Sequence, residues 1–181
     1  MQQPGRTHEP RELGRQTLHQ GRCLVFQSIA WQDDRGRERT WETVDRVGGR
    51  PAVMTIPWLV PSKRLVLIRQ YRPPAGSTVL EFPAGLVDEG ERPEEAGLRE
   101  LTEEAGYCGR AVRTLPATCN TPGLSGEAVH PVLVEIDETD PANARPAPTP
   151  EDGESIEVVL VARADLADFL RRECEAGTRF D

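Results

Sequence analysis

Along this chain short apolar runs of strand length are separated by polar turn residues, with clear alternation in RTWETVDR, and in two places the period is that of a helix. From Arg22 onward Cys23, Val25 and residues 28–31 read as a strand, the tip DDRG at 33–36 turns the chain, and residues 38–46 (ERTWETVDR) return as the second arm of a hairpin. Residues 52–60 predict a further strand and residues 65–70 (LVLIRQ) a buried one, with Pro61-Ser62-Lys63 turning between them. YRPPAG at 71–76 is a stiff turn that fixes Arg72, and residues 78–82 form a short strand. Strands are again expected over 111–117 and 128–136, separated by the loop CNTPGLS at 119–125, and over 155–161. Residues 137–153 make a long Pro- and Asp-rich loop, a length that inside compact domains is uncommon and often functional. Leu166, Phe169 and Leu170, opened by Asp165 as cap, predict a terminal helix. Residues 1–20, rich in Gln, Arg, Gly and Pro, show no period and are expected to form a loose, disordered arm. Strands with two inserted helices and no βαβ alternation imply an α+β or sandwich-like fold.

The first of those helices is the most informative stretch. Pro93 suits a first helical position, Glu94 and Glu95 favour the positive end of the dipole, and Gly106 supplies the stop. At about 100° per residue Glu100, Glu103 and Glu104 gather on one side and Leu98, Leu101 and Ala105 on the other. Like charges so spaced cost a helix roughly 0.2–0.5 kcal/mol per pair. Such a face is either solvated or neutralised, and hard divalent cations are one means of neutralising it. Gly97 in mid-helix costs about 1 kcal/mol against alanine, with no reason visible in the sequence, and Arg92 is a poor cap.

Composition narrows the field. The 181 residues suit one domain with a small appendage. A net charge of −8 argues against nucleic-acid and anionic-membrane partners. Cys23, Cys108, Cys119 and Cys174 lack CxxC or finger spacing, so reduced thiols in the cytoplasm or nucleus are expected. No apolar run approaches ~18 residues. None of His8, His19 and His130 has metal-ligand spacing.

Gly85, then Glu91, Arg99-Glu100-Leu101, Glu103-Glu104 and Gly106-Tyr107, at their spacing, resemble the Nudix box, with Tyr107 where a small aliphatic residue is usual. The resemblance implies a Nudix-type α/β/α sandwich with a mixed sheet, preceded here by an N-terminal antiparallel hairpin or small sheet. It also implies hydrolysis of a nucleoside diphosphate linked to another moiety, with Mg²⁺ or Mn²⁺. A diphosphate repels hydroxide until its charge is offset, which bound metals achieve while activating water. By the same resemblance Glu100 and Glu104 are metal ligands and catalytic residues, Glu103 assists, and the Ala84 carbonyl completes a metal site. Arg99 orients Glu103, and Glu91 braces the loop that Gly85 permits.

The blocks RTWETVDR, QYRPPAGSTVLEFPAGL and NARPAPTPEDGE look like the ADP-sugar (ADP-ribose) pyrophosphatase branch, from about Arg22 to the terminal helix. That implies a small-molecule nucleoside diphosphate sugar as substrate, cleaved to AMP and a sugar phosphate, and a homodimer that exchanges its N-terminal strands. Trp41 would stack on adenine and Glu42 accept from its amino group. Arg46 and Arg72 would hold the diphosphate or the base. Leu86 and Thr121 line the substrate, and Glu154 is the general base. The implied layout is an arm over 1–20, N-terminal strands over 21–50 and a hydrolase domain over 51–181. Cys23 stands where the branch can place a second aromatic, and Thr121 where it can place an acidic residue. The sequence ends at Asp181, short of the branch's usual extent, which implies a looser terminal helix or dimer. Alternative readings are a Nudix hydrolase of UDP-sugars or oxidised nucleoside diphosphates, and a non-catalytic ADP-sugar-binding module.

Overall fold

The computed structural model describes residues 8–181. Contacts divide the chain into two compact units, one reaching to Arg50 and including Cys119–Ala128, the other made of Pro51–Thr118 and Val129–Asp181.

The first unit is a three-stranded antiparallel sheet in the order β1 (Arg11–Gln20), β2 (Leu24–Gln32), β3 (Glu38–Arg46). The β2–β3 hairpin follows the sequence pattern, with Gly36 at φ 77° in its tip. Strand β1 corrects the expectation of a loose arm over residues 1–20, of which residues 1–7 lie outside the described residues. Every residue of β1 is exposed, so no apolar period marks it. Backbone pairing to β2 holds it instead, with Arg15 reaching Glu12, Gln27 and Asp45. Cys119–Ala128 join this unit rather than the 51–181 domain. Asp45 accepts from the Ser125 hydroxyl and the Gly126 N–H (both 2.9 Å), and Leu124 O accepts from Val44 N and the Thr43 hydroxyl.

The second unit is built on a mixed eight-stranded sheet. Its strands are β4 (Ala52–Val60), β5 (Arg64–Arg72), β6 (Ser77–Glu81), β7 (Ala84–Leu86), β8 (Arg110–Thr114), β9 (Val129–Asp137), β10 (Ile156–Ala162) and β11 (Arg179–Phe180). They run in the order β11-β6-β5-β4-β9-β8, with β10 also paired to β5 and β7 to β4. Strand β4 alternates buried and half-buried residues, with Val53 and Leu59 inward. Pro57 is tolerated in this central strand because β7 pairs only with residues 52–54 and β5 only at Trp58, so its missing N–H falls between them.

Helices cover the two faces. Against α1 (Pro93–Ala105) pack Val53, Val66, Ile68, Val132 and Val134. Against α2 (Leu166–Glu175) pack Leu67, Leu80 and Val161. The alternation Val66–Leu67–Ile68 in β5 thus feeds two cores, an α/β/α arrangement. Gly97 has its reason here: a Cβ would lie 3.0 Å from Thr55 Cγ2 and 3.3 Å from Val53 Cγ2, so its absence lets α1 press onto the sheet. Tyr107 is buried in the same core. Asp165 makes no side-chain cap; a 3₁₀ turn, Arg163–Asp165, runs straight into α2. The long loop is pinned where Asn143 bridges Cys108 and Asp137, and where Thr149 N donates to Glu103 O.

Candidate active site

Helix α1 starts where the sequence places it. Glu95 accepts from the Arg92 N–H at 3.1 Å, which closes the N-terminus although Arg92 offers no acceptor of its own. Gly106 ends the helix at φ 74°, and a Cβ there would meet the backbone of Ala147 and Pro148 at 2.4–2.7 Å. The end of the helix and the long loop therefore fit together only around a glycine.

The acidic face is not a solvated one. Arg99 places a guanidinium at its centre, bonding Glu91 through Nε (3.0 Å) and Nη2 (3.1 Å), Leu86 O (2.9 Å), Glu100 (2.7 Å) and Glu103 (3.1 Å). Glu91 also accepts from Asp88 N, so it fastens the loop before the helix. Gly85 lies under Glu100: a Cβ would fall 1.9 Å from its Oε1. The glycine is needed for the carboxylate's room and not, as expected, for a tight loop, because Gly85 lies within β7 and has no positive φ. Glu104 is only 3 % exposed and accepts from Ala84 N at 2.9 Å. Burial pushes its carboxyl up to about 8; the Ala84 N–H opposes this and the Glu100 and Glu154 charges add to it. Burial raises Glu100 too, against the pull of Arg99.

A second group comes from the strands. Arg72, at the end of β5, forks onto Glu81 of β6 through Nε (3.0 and 3.2 Å) and Nη2 (3.0 Å). Glu81 is 4 % exposed and its carboxyl is raised by burial, with Arg72 opposing. The fields of Glu104 and Glu154 both reach Arg72, so helix, strand and loop converge. Glu154 sits in a turn where its carboxylate accepts from Glu151 N at 3.1 Å. Sequence reasoning assigned nothing to Glu81. The available signal was a lone carboxylate inside the apolar run TVLEF.

Glu100, Glu103, Glu104, Ala84, Leu86, Arg72 and Glu154 all belong to the second unit, and Trp41, Glu42, Arg46 and Thr121 to the first. Trp41 is 49 % exposed and its indole N–H donates to Gly123 O at 3.2 Å, leaving the ring faces unused by that bond. Arg46 pairs with Glu127, and Glu42 is exposed. The Thr121 carbonyl accepts from Leu124 N and Ser125 N, forming the turn that delivers Gly123 to Trp41.

Among the described residues no three His, Cys, Asp or Glu side chains stand in a metal-binding arrangement, because Arg99 draws Glu100 and Glu103 to itself and Glu104 turns to Ala84. The donor set nonetheless suits a hard cation. It is all carboxylate oxygen, one member is buried, and its charges are only partly offset by Arg99 and Arg72.

The NUDIX domain family model matches residues 48–177. The chain is 44% identical over 156 residues to an ADP-sugar pyrophosphatase of Mus musculus, covering 82% of this chain and 72% of that protein. It is 34% identical over 166 residues to an ADP-ribose pyrophosphatase of Saccharomyces cerevisiae, covering 87% and 72%. A solved structure, the crystal structure of ADP compounds hydrolase, superposes with a TM-score of 0.70 at 27% identity, covering 91% of this chain and 84% of that one.

Proposed function

This chain belongs to the Nudix family, and from that premise we propose that it hydrolyses the diphosphate of an ADP-sugar, ADP-ribose foremost, to AMP and a sugar phosphate. The observation that carries the reading is the buried Glu104, bonded to Ala84 N beside Glu100 and the Arg99 clamp, in a chain so similar to an ADP-sugar pyrophosphatase. Water attacks one phosphorus while giving a proton to a general base, the bridging P–O bond breaks, and the base passes that proton on to the leaving phosphate.

In this reading Glu100, Glu104 and the Ala84 carbonyl would hold Mg²⁺ or Mn²⁺, with Glu103 assisting. Held there, such a cation would offset the diphosphate charge and lower the pKa of water. Arg99 fixes the approach of Glu100 and Glu103 and ties it to the loop through Glu91 and Leu86 O. Arg72, aligned by Glu81, presents a guanidinium to phosphate oxygens, and Glu154 takes the proton from water. In the first unit Trp41 offers a ring face for adenine, with Glu42, Arg46 and Thr121 as the further candidates for the nucleotide, and in the second Leu86 is the candidate substrate-lining residue. The small molecule is the only partner proposed besides a second copy. A homodimer through the N-terminal sheet would cover Leu13, Leu18 and Leu24, all exposed in the single chain. Four free cysteines favour a reducing compartment, cytoplasm or nucleus.

Purified protein with Mg²⁺ is offered ADP-ribose, ADP-glucose and UDP-glucose, and the nucleotide products are separated beside those of Glu104→Gln. AMP from ADP-ribose that disappears in the variant is expected. UMP alone, or no product with either metal, overturns the reading.

A further inference from the structure

Gln70 is 4 % exposed, and its Oε1 is fully buried without a hydrogen-bond donor among the described residues. An orphaned amide oxygen of this kind costs about 1–3 kcal/mol, and buried polar groups are ordinarily satisfied, by water where protein cannot reach. Its position says which water. Along β5, Val66 and Ile68 face the core under α1, and the same alternation carries Gln70 and then Arg72 onto that face. Across the sheet Ile68 stands opposite Glu81, and Gln70 opposite Ile156, two residues after Glu154. Gln70 therefore closes the boundary between the apolar core and the group formed by Arg72, Glu81, Glu104 and Glu154.

Among the described residues nothing donates to this oxygen, and Arg72 spends Nε and Nη2 on Glu81. A water molecule fits. It can donate to Oε1 and to a carboxylate while accepting from a guanidinium N–H, the two to four partners that a buried water needs. We propose that Gln70 Oε1 holds an ordered water at the floor of the active site, and that Gln70 is thereby a positioning residue for hydrolysis. The second half of this statement rests on the function proposed above; the water site itself does not. An apolar side chain here would simply extend the Val66–Ile68 core, so chemistry rather than stability accounts for an amide.

The test joins a crystal structure of the wild-type protein, with waters resolved, to stability and kinetics of Gln70→Leu and Gln70→Met. A water at about 2.7–3.2 Å from Oε1 is expected. Both variants should melt at or above the wild-type temperature. Both should lose at least tenfold in kcat on ADP-ribose while KM stays within about twofold, a split that loss of packing would not produce. A dry amide in the crystal overturns the proposal, as does a folded variant with wild-type kcat. If wild type does not cleave ADP-ribose the functional reading fails on its own, and the water at Oε1 still decides for or against the site. If Leu prevents folding, Met carries the kinetic comparison.

Discussion

Replacing Gly97 by alanine sets two well-characterised effects against each other. Helix propensity alone favours alanine by about 1 kcal/mol. The added Cβ, however, would stand 3.0 Å from Thr55 Cγ2, 3.3 Å from Val53 Cγ2 and 3.4 Å from Val132 Cβ. All three neighbours are fully buried and β-branched, so none has an alternative rotamer into which to retreat. Overpacking of this kind typically costs about 1–3 kcal/mol, which outweighs the propensity gain. Net of the propensity gain, Gly97→Ala should be destabilised by up to roughly 2 kcal/mol, a fall in Tm of up to roughly 8 °C for a chain of this size. Relief would come from lifting α1 by a few tenths of an ångström, and Glu100, Glu103 and Glu104 travel with it, so activity should drop as well. Urea denaturation and steady-state turnover of single and double variants provide the assay. Thr55→Ser removes the offending methyl and keeps the hydroxyl that donates to Pro83 O at 3.1 Å. The double variant should regain about 1 kcal/mol over the sum of the singles. A Gly97→Ala protein more stable than wild type, or a coupling near zero, would refute the close-packing argument.

Four other outcomes are expected. Gly85→Ala should fold nearly as well as wild type, because the obstructed atom is the end of a flexible side chain, yet lose at least tenfold in kcat as Glu100 is displaced; a melting curve beside a progress curve checks it. Arg99→Lys should lose about 2–3 kcal/mol in denaturation, since an ammonium cannot bridge Glu91, Leu86 O, Glu100 and Glu103 together. Without metal, Glu104→Gln should melt above wild type at neutral pH: a folded carboxyl raised from 4.5 to about 8 contributes its full stability below pH 4.5 and loses it as pH rises, at roughly 1.4 kcal/mol per pH unit and so at most about 3 kcal/mol by pH 7. A gap between the two proteins that stays constant from pH 4.5 to 8 would contradict the burial of that charge. Asp45 has the opposite sign: burial would raise it, but the Gly126 N–H and the Ser125 and Thr43 hydroxyls hold it low, so Asp45→Asn should cost stability at neutral pH and progressively less as acid protonates the wild-type carboxyl, read by thermal melts from pH 6 downward.

What could be read from the sequence follows from what kind of contact each residue makes. Strands β4 and β5 were legible as apolar runs bounded by turn residues, and α1 because it buries one face and leaves a helical period; the β2–β3 hairpin, whose second arm is mostly exposed, was legible from its turn and its β-branched residues. Strand β1 buries nothing, so its ten residues carry no period and its existence depends on pairing with β2. The terminal helix was legible from Leu166 and Phe169, but its opening was not, because a 3₁₀ turn before Leu166 takes the place of an Asp165 cap. Glu81, and Gln70 as proposed above, were invisible as site residues. Nothing local separates them from other polar residues in strands, and their meaning appears only when the Arg72 fork closes on Glu81 and the β5–β10 register sets Gln70 opposite Ile156, close to Glu154.

The box itself was readable for a different reason, and the structure shows why identity rather than mere polarity is required at its positions. Gly85 is glycine because Glu100 occupies the space of its Cβ, and Gly106 because the backbone at Ala147 does the same under a positive φ. Arg99 must be a planar fork, since one guanidinium meets three carboxylates and a carbonyl in different directions. Glu104 must be long enough to reach Ala84 N from the buried side of α1, while Glu103 needs only to meet Arg99 at the surface. Each of these is a near-contact constraint satisfied within one loop and one helix, so the motif is complete in a short stretch of sequence. The residues proposed to recognise the nucleotide have no such compactness. Trp41 depends on Gly123, and Arg46 on Glu127, across some eighty residues. A substitution at Thr121 or Gly123 should therefore change which nucleoside diphosphate sugar is accepted before it changes whether a diphosphate is cleaved, whereas a substitution at Gly85 or Arg99 should act on cleavage for every substrate alike.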